Sequence, residues 1–245
     1  MSYCIVIPNY NHTLVIEKLI ASLVEYKLPV IMVNDGSDTD SAAFMQMLAD
    51  KYSFLTLVNH SHNQGKGAAV HTGLKYANSM GFTHAIQVDA DGQHDITDIN
   101  KLVVLSQAQP QQLISGRPIY NESVPKHRYY ARYLTHVWVW IETLSFDIKD
   151  TMCGFRVYPL TETLALLAKH DSIGQYMSFD TEIIVRLYWD GVETTFMPTK
   201  VNYPENGVSH FRVWEDNLAI SWMHTRLVFG MLKRLPQLLL RKFKQ

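Results

Sequence analysis

The sequence predicts an α/β fold with a largely parallel central sheet flanked by helices. Between residues 3 and 88, four short apolar runs alternate with three segments whose apolar residues follow a helical period. Strands that alternate with helices imply right-handed crossovers, and such crossovers make neighbouring strands parallel. Each of these runs also stops at polar or turn-forming residues, as strand ends commonly do.

The predicted elements follow one another without a linker. Strands are expected at 3–7, 28–33, 54–58 and 85–88, with helices beginning near 13, 38 and 63. Further along, the pattern predicts a helix to about 107, a strand at 113–117, a helix over 126–146, helices from 161 and 180, and a strand at 194–197. No Gly/Ser/Pro-rich segment marks a second domain.

Composition limits the class of protein. A chain of 245 residues with 47% hydrophobic content is long enough for one large, well-packed domain. The net charge of −1 gives no reason to expect nucleic acid. Cys4 and Cys153 have no zinc or redox spacing, so we expect reduced thiols in a cytosolic protein. We expect no signal peptide and no membrane-spanning helix.

Two carboxylates stand at the end of the fourth apolar run. Asp89 and Asp91 are one residue apart, so on an extended chain both point to the same side. Paired oxygen ligands suit Mg²⁺ or Mn²⁺ carrying a substrate diphosphate, although a polar turn after a strand is the simpler alternative. The turns at 8–11 and 35–38 fall at the same sheet edge, where parallel α/β sheets bind ligands. This shared edge favours the metal site.

Six motifs in order resemble family 2 glycosyltransferases, and most closely the dolichyl- or polyprenyl-phosphate sugar transferases. They are Pro8-Asn-Tyr-Asn11, Asn34-Asp-Gly-Ser-Asp38, Asn63-Gln-Gly-Lys-Gly67, Asp89-Ala-Asp91, Asp150-Thr-Met-Cys-Gly-Phe-Arg156 and Phe179-Asp-Thr-Glu182. The resemblance implies a GT-A fold with a Rossmann-like sheet, a UDP- or GDP-sugar donor, Mg²⁺ or Mn²⁺, and inversion at the anomeric carbon. We expect a catalytic domain over 1–212 and a helical tail over 213–245.

The resemblance also implies roles for individual residues. The expected nucleotide-sugar site consists of Pro8, Tyr10, Asn11, Asp35, Lys66 and Asp89. Within it, Asp35 would accept a hydrogen bond from the base; without the resemblance, Lys66 would be a simple loop lysine. Asp91 is the expected metal ligand, with Asp89 nearer the ribose or a metal-bound water, and Gln93 and His210 as further candidates. His60 and His62 are expected to be solvated.

Two carboxylates compete for the role of the base. Asp180 occupies the position from which many inverting relatives deprotonate the acceptor, although it could also cap a helix. Asp150 is the alternative base. A phosphate acceptor is already ionised and needs little base catalysis. For such an acceptor, the expected phosphate-binding residues are Arg117, Arg128, Arg132 and Arg156.

The tail is basic and apolar. After Asp216 it carries no acidic residue, and Arg226, Lys233, Arg234 and Arg241 lie among apolar side chains. Such a helix suits an anionic membrane surface, although a helix packed on the domain with a solvated basic face is the alternative. We expect the protein to sit peripherally on the cytoplasmic face of the membrane.

The predicted function is transfer of a sugar from a nucleotide-sugar to a lipid-linked or glycan acceptor. One alternative is a sugar-1-phosphate nucleotidyltransferase, which should have a Gly-rich basic loop after the first strand, where this chain has Pro8-Asn-Tyr-Asn-His12. The other is a membrane-peripheral nucleotide-sugar-binding module without turnover. The presence of Asp91 and Asp180 counts against that module.

Overall fold

The computed structural model describes residues 1–119, 126–170, 173–201 and 213–242, and the side chains of all of these except 126–131, 213 and 242. Its centre is a seven-stranded sheet. The strands are β1 (Tyr3–Asn9), β2 (Val30–Asn34), β3 (Leu55–Asn59), β4 (His84–Gln87), β5 (Leu113–Ile119), β6 (Arg156–Pro159) and β7 (Thr194–Lys200). They lie in the order β3-β2-β1-β4-β6-β5-β7.

Eight α-helices surround the sheet in the described part of the chain. They are α1 (Ile16–Leu23), α2 (Thr39–Lys51), α3 (Lys66–Ser79), α4 (Ile99–Ala108), α5 (Lys126–Thr143), α6 (Leu160–Lys169), α7 (Phe179–Trp189) and α8 (Val213–Lys242). Short 3₁₀ turns occupy Val24–Tyr26 and Ile96–Asp98. The predicted α/β architecture and the terminal helix are therefore confirmed.

Alternation along β1 explains why helices cover both faces of the sheet. Cys4 and Val6 belong to a core shared with α3, α6, α7 and α8, whereas Ile5 and Ile7 belong to a second core with α1, α2 and α4. Because successive strand residues point to opposite faces, an uninterrupted apolar strand must be buried on both sides. The result is three layers, with the sheet in the middle.

The strand order reverses at β1, which places the ligand edge. β1 pairs in parallel with β2 on one side and with β4 on the other. A crevice opens beyond the carboxyl ends of strands at such a reversal. Asn9, Asn34 and Asp89 stand at or just beyond the ends of these three strands, as the sequence predicts.

The strand β6 was not predicted from the sequence. It runs antiparallel to both β4 and β5, so it interrupts the parallel sheet. All four of its residues are buried, including the guanidinium of Arg156. Its sequence, Arg-Val-Tyr-Pro, shows neither the alternation of apolar and polar residues nor the continuous apolar run that predicts a strand.

The helix α8 shares the main core of the protein. Met223, Leu227, Met231 and Leu238 are buried in the cluster that includes α3 and α7. Gly230 lies so close to Trp189 that an added Cβ would come within 2.7 Å of the indole ring. The boundary at residue 212 between a catalytic domain and a tail stays a prediction.

Candidate active site

Lys66 connects two carboxylates that lie far apart in the sequence. Its Nζ donates to Oδ2 of Asp89 at 2.9 Å and to Oδ2 of Asp180 at 2.8 Å. Burial alone would lower the pKa of Lys66, but the charges of Asp180 and Asp89 outweigh it and raise the pKa well above the ordinary value. Lys66 therefore stays an ammonium ion, and its nearest partners are these carboxylates. Its expected contact with a nucleotide stays a prediction.

Lys66 lies between two glycines that pack closely against the segment before α7 and the first residue of α7. A Cβ added to Gly65 would lie 2.5 Å from the carbonyl oxygen of Gln175, and one added to Gly67 would lie 2.5 Å from Cβ of Phe179. Gly65 also has a φ of +99°, which side-chain-bearing residues rarely adopt. The Gly-Lys-Gly sequence thus lets α3 begin directly against the segment that precedes α7.

Asp89 is fixed by a buried polar chain. Gln87 Nε2 donates to its Oδ1 at 3.0 Å, and the hydroxyl of Tyr158 donates to Oε1 of Gln87 at 3.1 Å. Burial raises the pKa of Asp89, but Lys66 and His94 more than offset this and hold it well below its usual range. Asp89 is therefore an ionised, oriented carboxylate.

Asp91 and Gln93 line a cavity of about 160 Å³ beside Asp89. Oδ1 of Asp91 accepts from the backbone N–H of Gln93 at 3.0 Å, which orients the carboxylate. The remaining walls come from Asp89, His94, Pro118, Arg132, Met152, Cys153, Gly154 and Val201. The cavity therefore brings together the predicted metal residues and one predicted phosphate-binding arginine.

The donor set fits a divalent cation that takes most of its ligands from a substrate. Within the described residues, no three His, Cys, Asp or Glu side chains cluster closely enough to hold a metal ion. Mg²⁺ and similar ions are commonly bound through one or two carboxylates, with phosphates and waters completing the coordination. Asp91, with Gln93 and Asp89 beside it, provides oxygen atoms of that kind. His210 lies outside the described residues.

Asp180 has one carboxylate oxygen engaged and the other without a hydrogen-bond partner in the described part of the chain. Oδ2 accepts from Lys66, whereas Oδ1 is buried and makes no hydrogen bond. The helix α7 begins at Phe179 with Ser178 at its N-cap, so Asp180 is not the capping residue. A buried oxygen without a hydrogen-bond partner calls for an explanation, and a catalytic role is one.

The structure argues against Asp150 as the base. Arg132 donates two hydrogen bonds to it, from Nε to Oδ2 at 2.7 Å and from Nη2 to Oδ1 at 3.1 Å. The backbone N–H groups of Met152 and Cys153 also donate to Oδ1. Burial raises the pKa of Asp150, but His136 and Arg132 hold it far below its usual range. A carboxylate saturated with donors is a poor proton acceptor. The expectation for Asp150 is corrected to a residue that orients Arg132.

The arginines predicted to bind phosphate lie in different environments. Arg156 is fully buried and donates to the backbone carbonyls of Asp180 and Thr151 at 2.7 and 2.6 Å, so its predicted role in binding phosphate is wrong. Arg132 lines the cavity, and Arg117 is exposed on β5. The side chain of Arg128 lies outside the described part of the chain.

The predicted nucleotide edge is built mainly by backbone anchors. Asn11 Oδ1 accepts from the N–H of Asp38 at 3.0 Å, which ties the loop after β1 to the loop after β2. Pro8 is buried in β1 and Tyr10 is half-buried beyond it. These three residues share the expected edge, and their contact with a nucleotide stays a prediction.

Asp35 is already occupied. Its oxygens accept from the N–H groups of Gln64 and Gly65 at 2.9 and 2.8 Å, and His60 Nδ1 lies 2.7 Å from Oδ1. Because only 3% of the Asp35 side chain is exposed, this carboxylate anchors the loop before α3. These contacts fix the acceptor oxygens, and the expected hydrogen bond from the base stays a prediction.

Several residues of the site escape sequence reasoning. His60 was expected to be solvated, yet its side chain is buried between Asp35 and Thr72. His94 stacks on Phe155 with ring centroids 5.0 Å apart and faces the cavity. Tyr158 reaches the site only through a long-range contact with Gln87, and Gln87 lies two residues before Asp89 within an apolar run. For His94, its closeness to Asp89 and Asp91 in the sequence was the one available signal.

Solved structures share this fold. Glucosyl-3-phosphoglycerate synthase from Mycobacterium tuberculosis, solved with Mn²⁺ and UDP-glucose, aligns with 95% of this chain and 78% of its own at 15% identity and a TM-score of 0.62. The mannosyltransferase PcManGT from Pyrobaculum calidifontis, solved with GDP-Man and Mn²⁺, aligns with 84% of this chain and 58% of its own at 18% identity and a TM-score of 0.56. These likenesses show that the chain has a GT-A fold.

The sequence comparison narrows the class to a family. The model of Glycosyl transferase family 2 matches residues 4–168, so the chain belongs to that family. Dolichyl-phosphate beta-glucosyltransferase ALG5D of Trichomonas vaginalis is 28% identical over 200 residues, which cover 74% of this chain. This chain spans 59% of that relative's length. The predicted resemblance to the dolichyl-phosphate sugar transferase branch is confirmed.

Proposed function

We propose that this chain is an inverting glycosyltransferase that moves a sugar from a UDP- or GDP-sugar to a lipid-phosphate or glycan acceptor. The observation that carries the proposal is the arrangement of Asp180. Lys66 holds its Oδ2, while Oδ1 makes no hydrogen bond within the described residues. The same lysine contacts Asp89 at the wall of the cavity that contains Asp91. A candidate base therefore lies close to a candidate diphosphate site.

Each residue of the site has a separate proposed role. Asp91 and Gln93 would hold Mg²⁺ or Mn²⁺, which when bound offsets the charge of the departing nucleoside diphosphate. Lys66 orients Asp180 and keeps a positive charge beside it. Asp180 accepts the proton of an acceptor hydroxyl through Oδ1. Because Oδ1 is covered, the Asp180 side chain must rotate to meet the acceptor.

A phosphate acceptor would use the other side of the cavity. Asp150 fixes the guanidinium of Arg132 in a bidentate pair, and Arg132 lines the cavity that Asp91 also lines. A guanidinium oriented in this way suits a phosphate group. The named dolichyl-phosphate relative supports a lipid phosphate as the acceptor.

The proposed contact with a membrane rests on the outer faces of α5 and α8. Large apolar side chains are exposed there, at Leu134, Trp138, Ile141, Trp214, Leu218, Trp222 and Phe229. Trp138 stacks against His224 of α8, which brings the two helices side by side. Tryptophan and leucine on one face favour the lipid–water boundary. Among the described helices, none has the length and apolar content needed to cross a bilayer.

The basic character of α8 contributes less to this contact than its sequence predicted. Arg226 pairs with Glu182, Arg234 lies over the ring of Trp189 at 4.7 Å, and Arg241 donates to the carbonyl of Trp189 at 2.7 Å. These three arginines contact the protein, whereas Lys233 is exposed, so the proposed basic outer face keeps fewer charges than the sequence suggests. Attachment at the cytoplasmic face would then depend mainly on apolar burial.

The experiment combines donors, metals and acceptors. UDP-glucose, UDP-N-acetylglucosamine and GDP-mannose are each offered with Mn²⁺ or Mg²⁺ to polyprenyl phosphate in vesicles or to a soluble glycan. NMR then gives the anomeric configuration of the product. We expect transfer with inversion from at least one donor. A product of retained configuration contradicts the inverting mechanism.

Two further outcomes separate the alternatives. Formation of a nucleotide-sugar from a sugar 1-phosphate and a nucleoside triphosphate, without transfer, would favour a nucleotidyltransferase. Metal-dependent binding of a donor with neither hydrolysis nor transfer to any acceptor would favour a binding module.

A further inference from the structure

Glu182 joins three parts of the structure two residues after Asp180. Its carboxylate is fully buried and accepts from Nε and Nη2 of Arg186 at 2.9 and 2.7 Å, both on Oε1. Oε2 accepts from the backbone N–H of Gly174 at 2.9 Å and from Nη2 of Arg226 at 3.0 Å. The catalytic helix α7, the segment before it and the helix α8 therefore meet at one side chain.

The segment 173–178 continues this connection to Lys66. The carbonyl of Gln175 accepts from the N–H of Ala68 at 3.1 Å, in the first turn of α3. The glycines on either side of Lys66 leave no room for a Cβ against this segment and Phe179. A shift of the segment would therefore move either the start of α3 or the start of α7. Lys66 begins one of these helices and Asp180 lies at the start of the other.

Arg226 is the member of this cluster that comes from α8. It lies four residues after the exposed Trp222 and three before the exposed Phe229, so it shares their side of α8, and its long side chain reaches from there to Glu182. Removing Arg226 takes one of two arginine partners from the fully buried carboxylate of Glu182, and a buried charge that loses a partner destabilises its surroundings. Oε2 of Glu182 would then lose the donor that holds it beside the N–H of Gly174, and the segment 173–178 would loosen.

We infer that Arg226 is a positioning residue that acts through Glu182 on the segment 173–178 and thereby sets the geometry of Lys66 and Asp180. The helix α8 thus completes the active site in addition to its proposed contact with the membrane. The kinetic part of this inference rests on the proposed glycosyltransferase function.

The test compares two arginines of α8 that contact other parts of the protein. Arg226→Met removes the contact with Glu182, whereas Arg234→Met removes packing on Trp189 and leaves Glu182 untouched. We expect Arg226→Met to lower kcat about tenfold with the donor KM nearly unchanged, since a misplaced catalytic group slows the reaction without weakening donor binding. Arg226→Lys should recover much of this loss, and Arg234→Met should keep kcat within about twofold.

Hydrogen exchange provides a readout that does not depend on turnover. Amide exchange in the segment 173–178 should accelerate about tenfold in Arg226→Met and stay near wild type in Arg234→Met, because only the first loosens Glu182. Glu182→Gln should have the same effect, and combining it with Arg226→Met should add little. If Arg226→Met does not fold, Glu182→Gln carries the same expectation.

The outcomes distinguish this inference from the proposed function. Unchanged exchange in both Arg226→Met and Glu182→Gln, or equal acceleration in Arg234→Met, overturns the inference. A wild-type protein that transfers no sugar removes the proposed function, and the exchange experiment still decides whether Arg226 holds the segment.

Discussion

Lys66 Nζ lies 2.8 Å from Oδ2 of Asp180, although 114 positions separate the two residues in the sequence. The contact ties the start of α3 to the start of α7, and the same ammonium reaches Asp89 beyond β4. A buried lysine between two carboxylates leaves a net negative charge in the cluster. That charge suits a site that binds a divalent cation and removes a proton.

Asp180→Asn tests the proposed base. The amide can keep a contact with Lys66 but is a far weaker proton acceptor, so we expect kcat with a hydroxyl acceptor to fall at least about 100-fold. Thermal stabilisation of the protein by the donor should change little. Asp40→Asn, an exposed carboxylate on α2, is the matched control. Unaltered kcat in Asp180→Asn would remove the base role.

Asp150→Asn tests the corrected role of the second carboxylate. It weakens the bidentate grip on Arg132, so we expect KM for a phosphate-bearing acceptor to rise about tenfold while kcat falls less. Arg132→Gln should give the same pattern. A collapse of kcat at constant KM, as expected for a base, would contradict our interpretation of Asp150.

Replacing Trp222 and Phe229 together with serine tests the outer face of α8. Since each buries apolar surface in the proposed contact, vesicle binding should fall at least about tenfold in a co-sedimentation assay. Because three of the arginines contact the protein and Lys233 is exposed, wild-type binding should fall only modestly as salt is raised. Thr225→Ser on the same exposed side is the control. If the double variant instead loses a dimer seen by light scattering, the face pairs two copies of the chain.

His71 predicts a loss of stability in acid. Burial, and then the charge of Lys75, lowers the pKa of His71 from 6.5 to about 4. Its folded pKa therefore lies below the unfolded value, so this contribution is complete above about pH 6.5 and is lost as the pH falls toward 4. Between about pH 7.5 and 4.5, His71→Gln should lose less unfolding free energy than wild type, by about 1 kcal/mol because solvent screens part of the effect at this half-buried residue. Urea titrations check this.

The control for that measurement is His62→Gln, since His62 is exposed. It should follow the wild-type pH dependence because the substitution leaves His71 and its surroundings unchanged. Identical acid losses in His71→Gln and wild type would show that His71 is not held neutral by the fold.

The sequence predicted the part of the fold that local pattern controls. β1 to β4 and the helices between them carry clear apolar periods, and their polar ends lie at the expected sheet edge. β6 was not predicted because it begins with Arg156, which is buried. The backbone carbonyls of Thr151 and Asp180 accept its hydrogen bonds, and folding brings them to it.

The site was predictable as a set of positions and less so as a set of contacts. Motif order pointed to Asp91 and Asp180, but the occupancy of Asp35 and Asp150 depends on groups such as His60 and Arg132, which are distant in sequence. Arg226 likewise pairs with Glu182, which lies 44 positions away in the sequence. Composition cannot tell a solvated basic face from a buried ion pair.

The proposed function requires a metal-dependent nucleotide-sugar site at Asp91. The most direct measurement is the melting temperature of wild type and Asp91→Ala with UDP- or GDP-sugars, each with and without Mn²⁺, because ligands that bind only the folded state raise stability by mass action. We predict that at least one donor stabilises wild type only when Mn²⁺ is present, and that Asp91→Ala loses this effect while its melting temperature without ligand stays close to wild type. Equal Mn²⁺-dependent stabilisation of both proteins would contradict the account.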